Sequence, residues 1–223
     1  MARAKIAAAI ILMTLSSISM GWAQGMGGGM GRQVPHLLGD FKPVVGSGAE
    51  YQMTTQKGTM DFSYVIVGKE DVGGSPGYWM EIRSKGSELP GETVMKQLMV
   101  LDGAKPQIKR MIMQSAGRPP MEFPLAMMPG MAQRAEGGGD HSPGIKVGSE
   151  TITVPAGTFE CDHFRKQESR GTLDIWISSK VSPYGTVKMT NGEVTMVLEK
   201  VLSNETSHIQ GQPQQMNFQM PHP

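Results

Sequence analysis

A single cysteine, Cys161, stands in 223 residues. One thiol cannot close an internal disulfide, so the fold has to rest on a packed core rather than on cross-links. The catalytic signatures that a sequence can display are missing as well. There is no G-x-S-x-G elbow, no H-E-x-x-H pair and no phosphate-binding loop. No Cys/His group has the spacing of a zinc site, and no cofactor is implied. Charge of one sign is also lacking: 21 basic against 20 acidic residues argue against nucleic acid or anionic lipid headgroups as the main partner. After the N-terminus, no apolar run is long enough to span a bilayer as a helix.

What is there begins with an export signal. Arg3 and Lys5 form a basic start, residues 6–18 an apolar stretch, and Gly21-Trp22-Ala23 a cleavage site of small residues. Residues 1–23 are therefore expected to be a signal peptide, with the mature chain starting at Gln24 in the periplasm or outside the cell. An uncleaved membrane anchor is the alternative, although the apolar run is short for one. No cysteine follows the run, so lipid attachment at that point is not expected. Without residues 1–23, 200 residues remain. That suffices for one domain burying roughly 70% of its unfolded surface.

Two turn motifs organise the C-terminal half. Asn191-Gly192 is a strong signal for a two-residue hairpin turn, because both positions tolerate positive φ. Such a turn pairs Met189 with Val194 and Val187 with Met196, which puts Val187, Met189, Val194, Met196 and Leu198 on one face. The second motif is Val154-Pro-Ala-Gly-Thr-Phe159, in which proline presets φ and Gly157 takes the positive value that follows. An even-length loop there sets Val154 opposite Phe159 and Ile152 opposite Cys161. Between the two motifs, residues 172–178 alternate Leu173, Ile175 and Ile177 with polar neighbours, the mark of a half-buried strand.

Upstream, strands are expected at 50–55, 59–69 and 78–84, with a Gly/Pro loop over 71–77. A further hairpin joins 94–101 to 107–114, with Leu98 opposite Arg110 and Val100 opposite Ile108. Its reverse face carries Met95, Met99, Leu101, Met111 and Met113, so both faces need covering. The candidate cover is the Pro/Gly/Met-rich insert 115–144, which contains Met127, Met128 and Met131. The expected fold is thus mainly β: one strongly curved antiparallel sheet of eight to ten strands, an unclosed half-barrel. A short helical or irregular lid lies over its concave side. Domain organisation reads as a flexible lead-in at 24–45, with one helical turn over 34–41, and a sheet domain at 46–203. A Gln/Pro/Met-rich disordered tail occupies 204–223.

The segments VGSGAEYQM, KRMIMQSAGRPPMEFP, VPAGTFEC and DIWISSKVSPYGTVKM together resemble a group of bacterial exported β proteins. That group shares the Pro-Ala-Gly-Thr-Phe turn and a Trp-Ile-Ser…Pro-Tyr-Gly run, and its motifs resemble periplasmic domains related to the LolA/LolB lipoprotein-carrier fold. The resemblance, which covers 45–202, implies a LolA-like curved sheet with a covered apolar hollow. It implies no catalytic set.

Four functional readings follow from the residues. A nucleophilic pair of Cys161 and His163 is geometrically open, since residues two apart share a strand face; the plainer alternative sets a buried, inert thiol and a His163 beside Glu150. Met26/Met30, Met128/Met131 and Met216/Met220 with His222 have spacings that soft copper(I) ligands could use, against methionine as apolar filler. Met95, Met99, Met111 and Met113, facing Met127, Met128 and Met131, describe an adaptable apolar site. The alternative there is an ordinary packed core. The reading preferred is a non-catalytic periplasmic binding or chaperone protein for an apolar small molecule, a lipid or an acyl group. An envelope protein partner, paired through the open sheet edge, is the remaining expectation.

Overall fold

The computed structural model describes residues 37–86, 91–102, 105–125, 142–168 and 171–215. β1 (Gly48–Thr55), β2 (Gly58–Val72), β3 (Ser75–Gly86), β4 (Thr93–Asp102), β5 (Lys105–Ser115) and β6 (Met121–Phe123) form one meander. β7 (Ile145–Val154), β8 (Gly157–Glu168), β9 (Gly171–Ile177), β10 (Thr186–Thr190) and β11 (Thr195–Leu202) form a second, and β12 (Gln214–Gln215) comes last. Pairing of β1 with β11, from Gly48↔Leu202 to Thr54↔Thr195, fuses the meanders into one twelve-stranded sheet. The order is β12-β6-β5-β4-β3-β2-β1-β11-β10-β9-β8-β7, antiparallel except for β12 on β6. The sheet does not close into a barrel. Its curvature shows where the Ala156 N–H, at the β7–β8 turn, donates to the Leu198 carbonyl of β11 at 3.3 Å, three strands away.

Registers define one continuous core face. Phe164 pairs with Ile175, Ile175 with Met189, and Met189 with Met196. Met53 and Tyr51 carry the face from β11 to Met60 and Phe62 of β2. Tyr64 and Ile66 pass it to Ile82 and Met80, and these to Met95 and Gln97. Tyr51, Phe62, Ile66, Met111, Ile175, Met196 and Leu198 are fully buried.

The turns depart from expectation by two residues each. The β10–β11 loop has four residues, with Met189 opposite Met196 rather than Val194. Asn191 Oδ1 accepts the N–H groups of Glu193 and Val194 at 3.1 and 2.9 Å, a side-chain turn that displaces the tighter one. At β7–β8 the loop is Pro155-Ala156 alone: Val154 faces Gly157, which takes φ +129 as expected, and Ile152 faces Phe159. The expected 71–77 loop is instead a tight hairpin, with Gly73 and Gly74 at φ +62 and +87 between the paired Val72 and Ser75. Leu98 does face Arg110. A bulge beside it moves Val100 opposite Gln107 and lets the strands pair out to Asp102↔Lys105.

Three segments are corrected. From Leu37 onward the lead-in belongs to the core: Leu37 and Leu38 are buried, and Leu38 packs on Leu173 and Ile175. Residues 37–41 contain no helical turn. Within the insert, 121–123 adds to the sheet as β6, pairing Met121 with Met113, instead of crossing its face. Residues 205–215, expected to be disordered, lie extended along the face opposite the core. No α-helix occurs among the described residues. The signal peptide and residues 126–141 of the insert lie outside them.

Candidate functional site: a seam groove and the methionine strands

Residues 39–48, the β9–β10 connection and the end of β11 meet the β7–β8 hairpin along one seam. Two bonds hold the first two together, the Lys42 N–H donating to the Pro183 carbonyl at 2.7 Å and the Ser182 hydroxyl to the Lys42 carbonyl at 3.3 Å; beside them the Thr186 hydroxyl of β10 donates to the Leu38 carbonyl at 3.4 Å. Close backbone approach is needed here. Gly39 sits at φ +120, where a Cβ would lie 2.6 Å from the Tyr184 carbonyl oxygen.

A groove of about 1040 Å³ remains along this seam. Its lining is divided in character. Ser149, Thr151, Glu160 and Asp162 supply polar groups from β7 and β8; Phe164, Ile177, Val181 and Tyr184 supply apolar surface. Val44 and Val201 also line it and are exposed, as do Lys42 and Lys180. The half-buried Phe41 ring packs on the groove-lining Tyr184 (5.3 Å between centroids) and edge-on against Tyr78 (6.4 Å). Tyr78 is the cross-strand partner of Met99. Phe41 therefore touches both a groove-lining ring and the cross-strand partner of Met99.

The methionines are placed as their spacing implies, but not as an open surface. Met95 pairs with Met113 and Gln97 with Met111, so Met95, Met99, Met111 and Met113 share the core face. Met99 and Met111 are buried, Met95 and Met113 half-buried. Met127, Met128 and Met131 lie outside the described residues, as do all the methionines and the histidine of the copper reading. Among the described residues, no group of three or more His, Cys, Asp and Glu side chains could hold a metal ion.

Cys161 and His163 do not form a catalytic pair. Burial, with Asp162 and Glu150 nearby, pushes the thiol up to about 11, and its hydrogen-bond contact is the Phe159 carbonyl at 3.7 Å. The imidazole is engaged by carboxylates on both sides. Nδ1 lies 3.2 Å from Glu150 Oε1 and Nε2 2.7 Å from Asp174 Oδ1. Glu150, the neighbour expected from the register, also accepts the Trp176 indole N–H at 2.6 Å, and the Trp176 ring stacks on His163 at 4.4 Å. Burial works to raise the Asp174 carboxyl; hydrogen bonds from His163 and Arg165 outweigh it and hold the group below its usual range.

The sequence offered a cue to the packing of the lead-in, since Leu37, Leu38 and Phe41 are apolar residues in a segment expected to be flexible. For the 205–215 segment it offered none.

No protein-family model matches the chain, and no curated protein matches it. Among solved structures the chain is similar to a Bacteroides fragilis protein assigned as exported, with a YmcC-like fold. Identity is 14%, the match covers 74% of this chain and 99% of that one, and the TM-score is 0.35. It is also similar to a protein of Parabacteroides distasonis assigned as a lipoprotein, at 13% identity over 75% of this chain and 100% of that one, with TM-score 0.37.

Proposed function

We propose that the protein is a non-catalytic binding or chaperone protein of the periplasm for an apolar ligand, a lipid or the acyl part of a lipoprotein. The observation that carries this is the seam groove: about 1040 Å³, apolar on one part of its lining and polar on the other, as an amphiphile requires. Entry of an acyl chain moves Phe41 aside and brings the chain against Tyr78 and Met99, with unbranched thioethers accommodating its shape. The basic and apolar N-terminus supports export.

The test is native mass spectrometry of protein isolated from its own envelope, together with titration of a fluorescent fatty acid. A co-purified lipid, and probe affinity lowered about tenfold by Val181→Asp, are expected. A ligand-free protein that also ignores the probe excludes the reading.

A second reading has its own observation. β7 is an edge strand of ten residues, nearly all exposed, with Ile145 at 77% and Val147 at 48%. Such an edge suits pairing with a strand of an envelope protein. Crosslinking from Val147→Cys that returns one stoichiometric partner supports it, and crosslinks only to abundant bystanders dismiss it.

A further inference from the structure

The face of β3, β4 and β5 opposite the core is covered by the chain's own C-terminal arm. Along the arm, Glu205, Ser207 and Ile209 are half-buried while Thr206, His208 and Gln210 are exposed, a strand-like alternation. The arm is held chiefly by side chains of the sheet. Glu81, with no exposed surface, accepts the Ser207 hydroxyl at 2.7 Å and the His208 N–H at 2.9 Å. Arg83 donates to Glu205 at 2.8 Å and Lys96 to Ser207 at 3.4 Å. Gln114 reads one backbone unit twice, accepting the Gln210 N–H at 2.8 Å and donating to its carbonyl at 3.1 Å. Ile209 completes the apolar cluster of Trp79, Leu98 and Ile112.

Glu81 gives this surface its specificity. Arg83 Nε approaches it at 3.3 Å yet makes no hydrogen bond. A buried carboxylate is tolerable only when hydrogen-bonded, and the bonds come from the arm. The chemistry recognised is therefore an extended segment offering a hydroxyl, the next residue's N–H, and a branched apolar side chain one residue further on. Asn204, at φ +58, makes the corner between β11 and the arm.

We propose that this surface also takes the arm of a second copy of the chain, so that two copies exchange arms about a two-fold axis. An exchanged arm makes the same bonds as the resident one, so concentration sets the balance. In the test, a fluorescent peptide of residues 204–215 is titrated onto the full-length protein. In parallel, isotope-labelled and unlabelled chains are mixed at high concentration and weighed by native mass spectrometry. Expected are saturable binding, weakened about tenfold or more when the peptide carries Ser207→Ala, and dimers of mixed mass. The change lies in the peptide, so the receiving chain stays intact. Failure to bind, indifference to Ser207→Ala, or a population of monomers alone overturns the proposal. Fatty-acid binding is read separately, so this result leaves the carrier reading untouched.

Discussion

Glu81 faces Lys96 across β4 and is flanked on its own face by Trp79 and Arg83, yet it satisfies its oxygens with a segment more than a hundred residues further along the chain. Replacing it by alanine strands the Ser207 hydroxyl and the His208 N–H and leaves the nearly buried Arg83 with Glu205 as its one counter-charge among the described residues. Glu81→Ala is expected to lower stability by about 3 kcal/mol, read as a fall in the urea midpoint at unchanged slope. Ser207→Ala, which leaves the carboxylate in place, costs about 1.5 kcal/mol. Cys161 is the other buried ionisable group with a clear consequence. A thiol raised from 9.0 to about 11 holds about a hundredfold less thiolate at pH 8. Alkylation of the native protein at pH 8 is expected to be slower than in the urea-unfolded chain by at least that factor. Equal rates refute the buried setting.

Turns and strands show how register errors behave. Both misjudged loops, Asn191–Gly192 and Pro155–Gly157, shift their partners by two residues, and a strand repeats every two residues. Every face assignment in those hairpins therefore survived while every specific pair changed. What decided between loops of equal parity was local in one case and tertiary in the other. The Asn191 side chain bonds two N–H groups, whereas the Ala156 N–H is drawn to Leu198 on another strand. The 71–77 segment, expected to be a loop, pairs instead as a hairpin, because Gly73 and Gly74 take the positive φ values a tight turn needs. The lead-in can be tested at the same scale. If 37–48 is part of the fold, Gly39→Ala forces a left-handed-region φ and a 2.6 Å contact with the Tyr184 carbonyl, and stability falls by about 2 kcal/mol, read as a lower urea midpoint. A loose leader tolerates the change with no shift.

At the scale of the whole molecule, buried acids set the alkaline limit and surface carboxylates the acid one. Burial raises the hydroxyls of Tyr51, Tyr64 and Tyr184 above their ordinary 10.0 and the Cys161 thiol above its ordinary 9.0. In the unfolded chain these groups ionise first, so their contribution is complete below pH 9 and declines above it, by up to about 1.4 kcal/mol per pH unit per group. Urea midpoints at pH 8 and pH 10.5 check this, and absorbance of tyrosinate rises with unfolding rather than before it. In acid, hydrogen bonds from Arg110 hold the Glu122 carboxyl below its usual value, and Asp174 is depressed as well. Their contribution is present above the ordinary carboxylate range and is lost as pH falls through it.

Alternating apolar positions and turn residues were enough to specify an antiparallel sheet, most of its hairpins and the common face of Met95, Met99, Met111 and Met113, because these depend on neighbours a few residues away. Which segment covers that face, which groove stays open beside it, and that a polar arm is pinned to a buried carboxylate were decided only by tertiary structure. Leu38 meets Ile175, Phe41 meets Tyr184, and Ser207 meets Glu81 across more than a hundred residues of chain. No local pattern encodes a partner that far away: a serine whose hydroxyl reaches a buried glutamate looks, in sequence, like any serine in a polar tail.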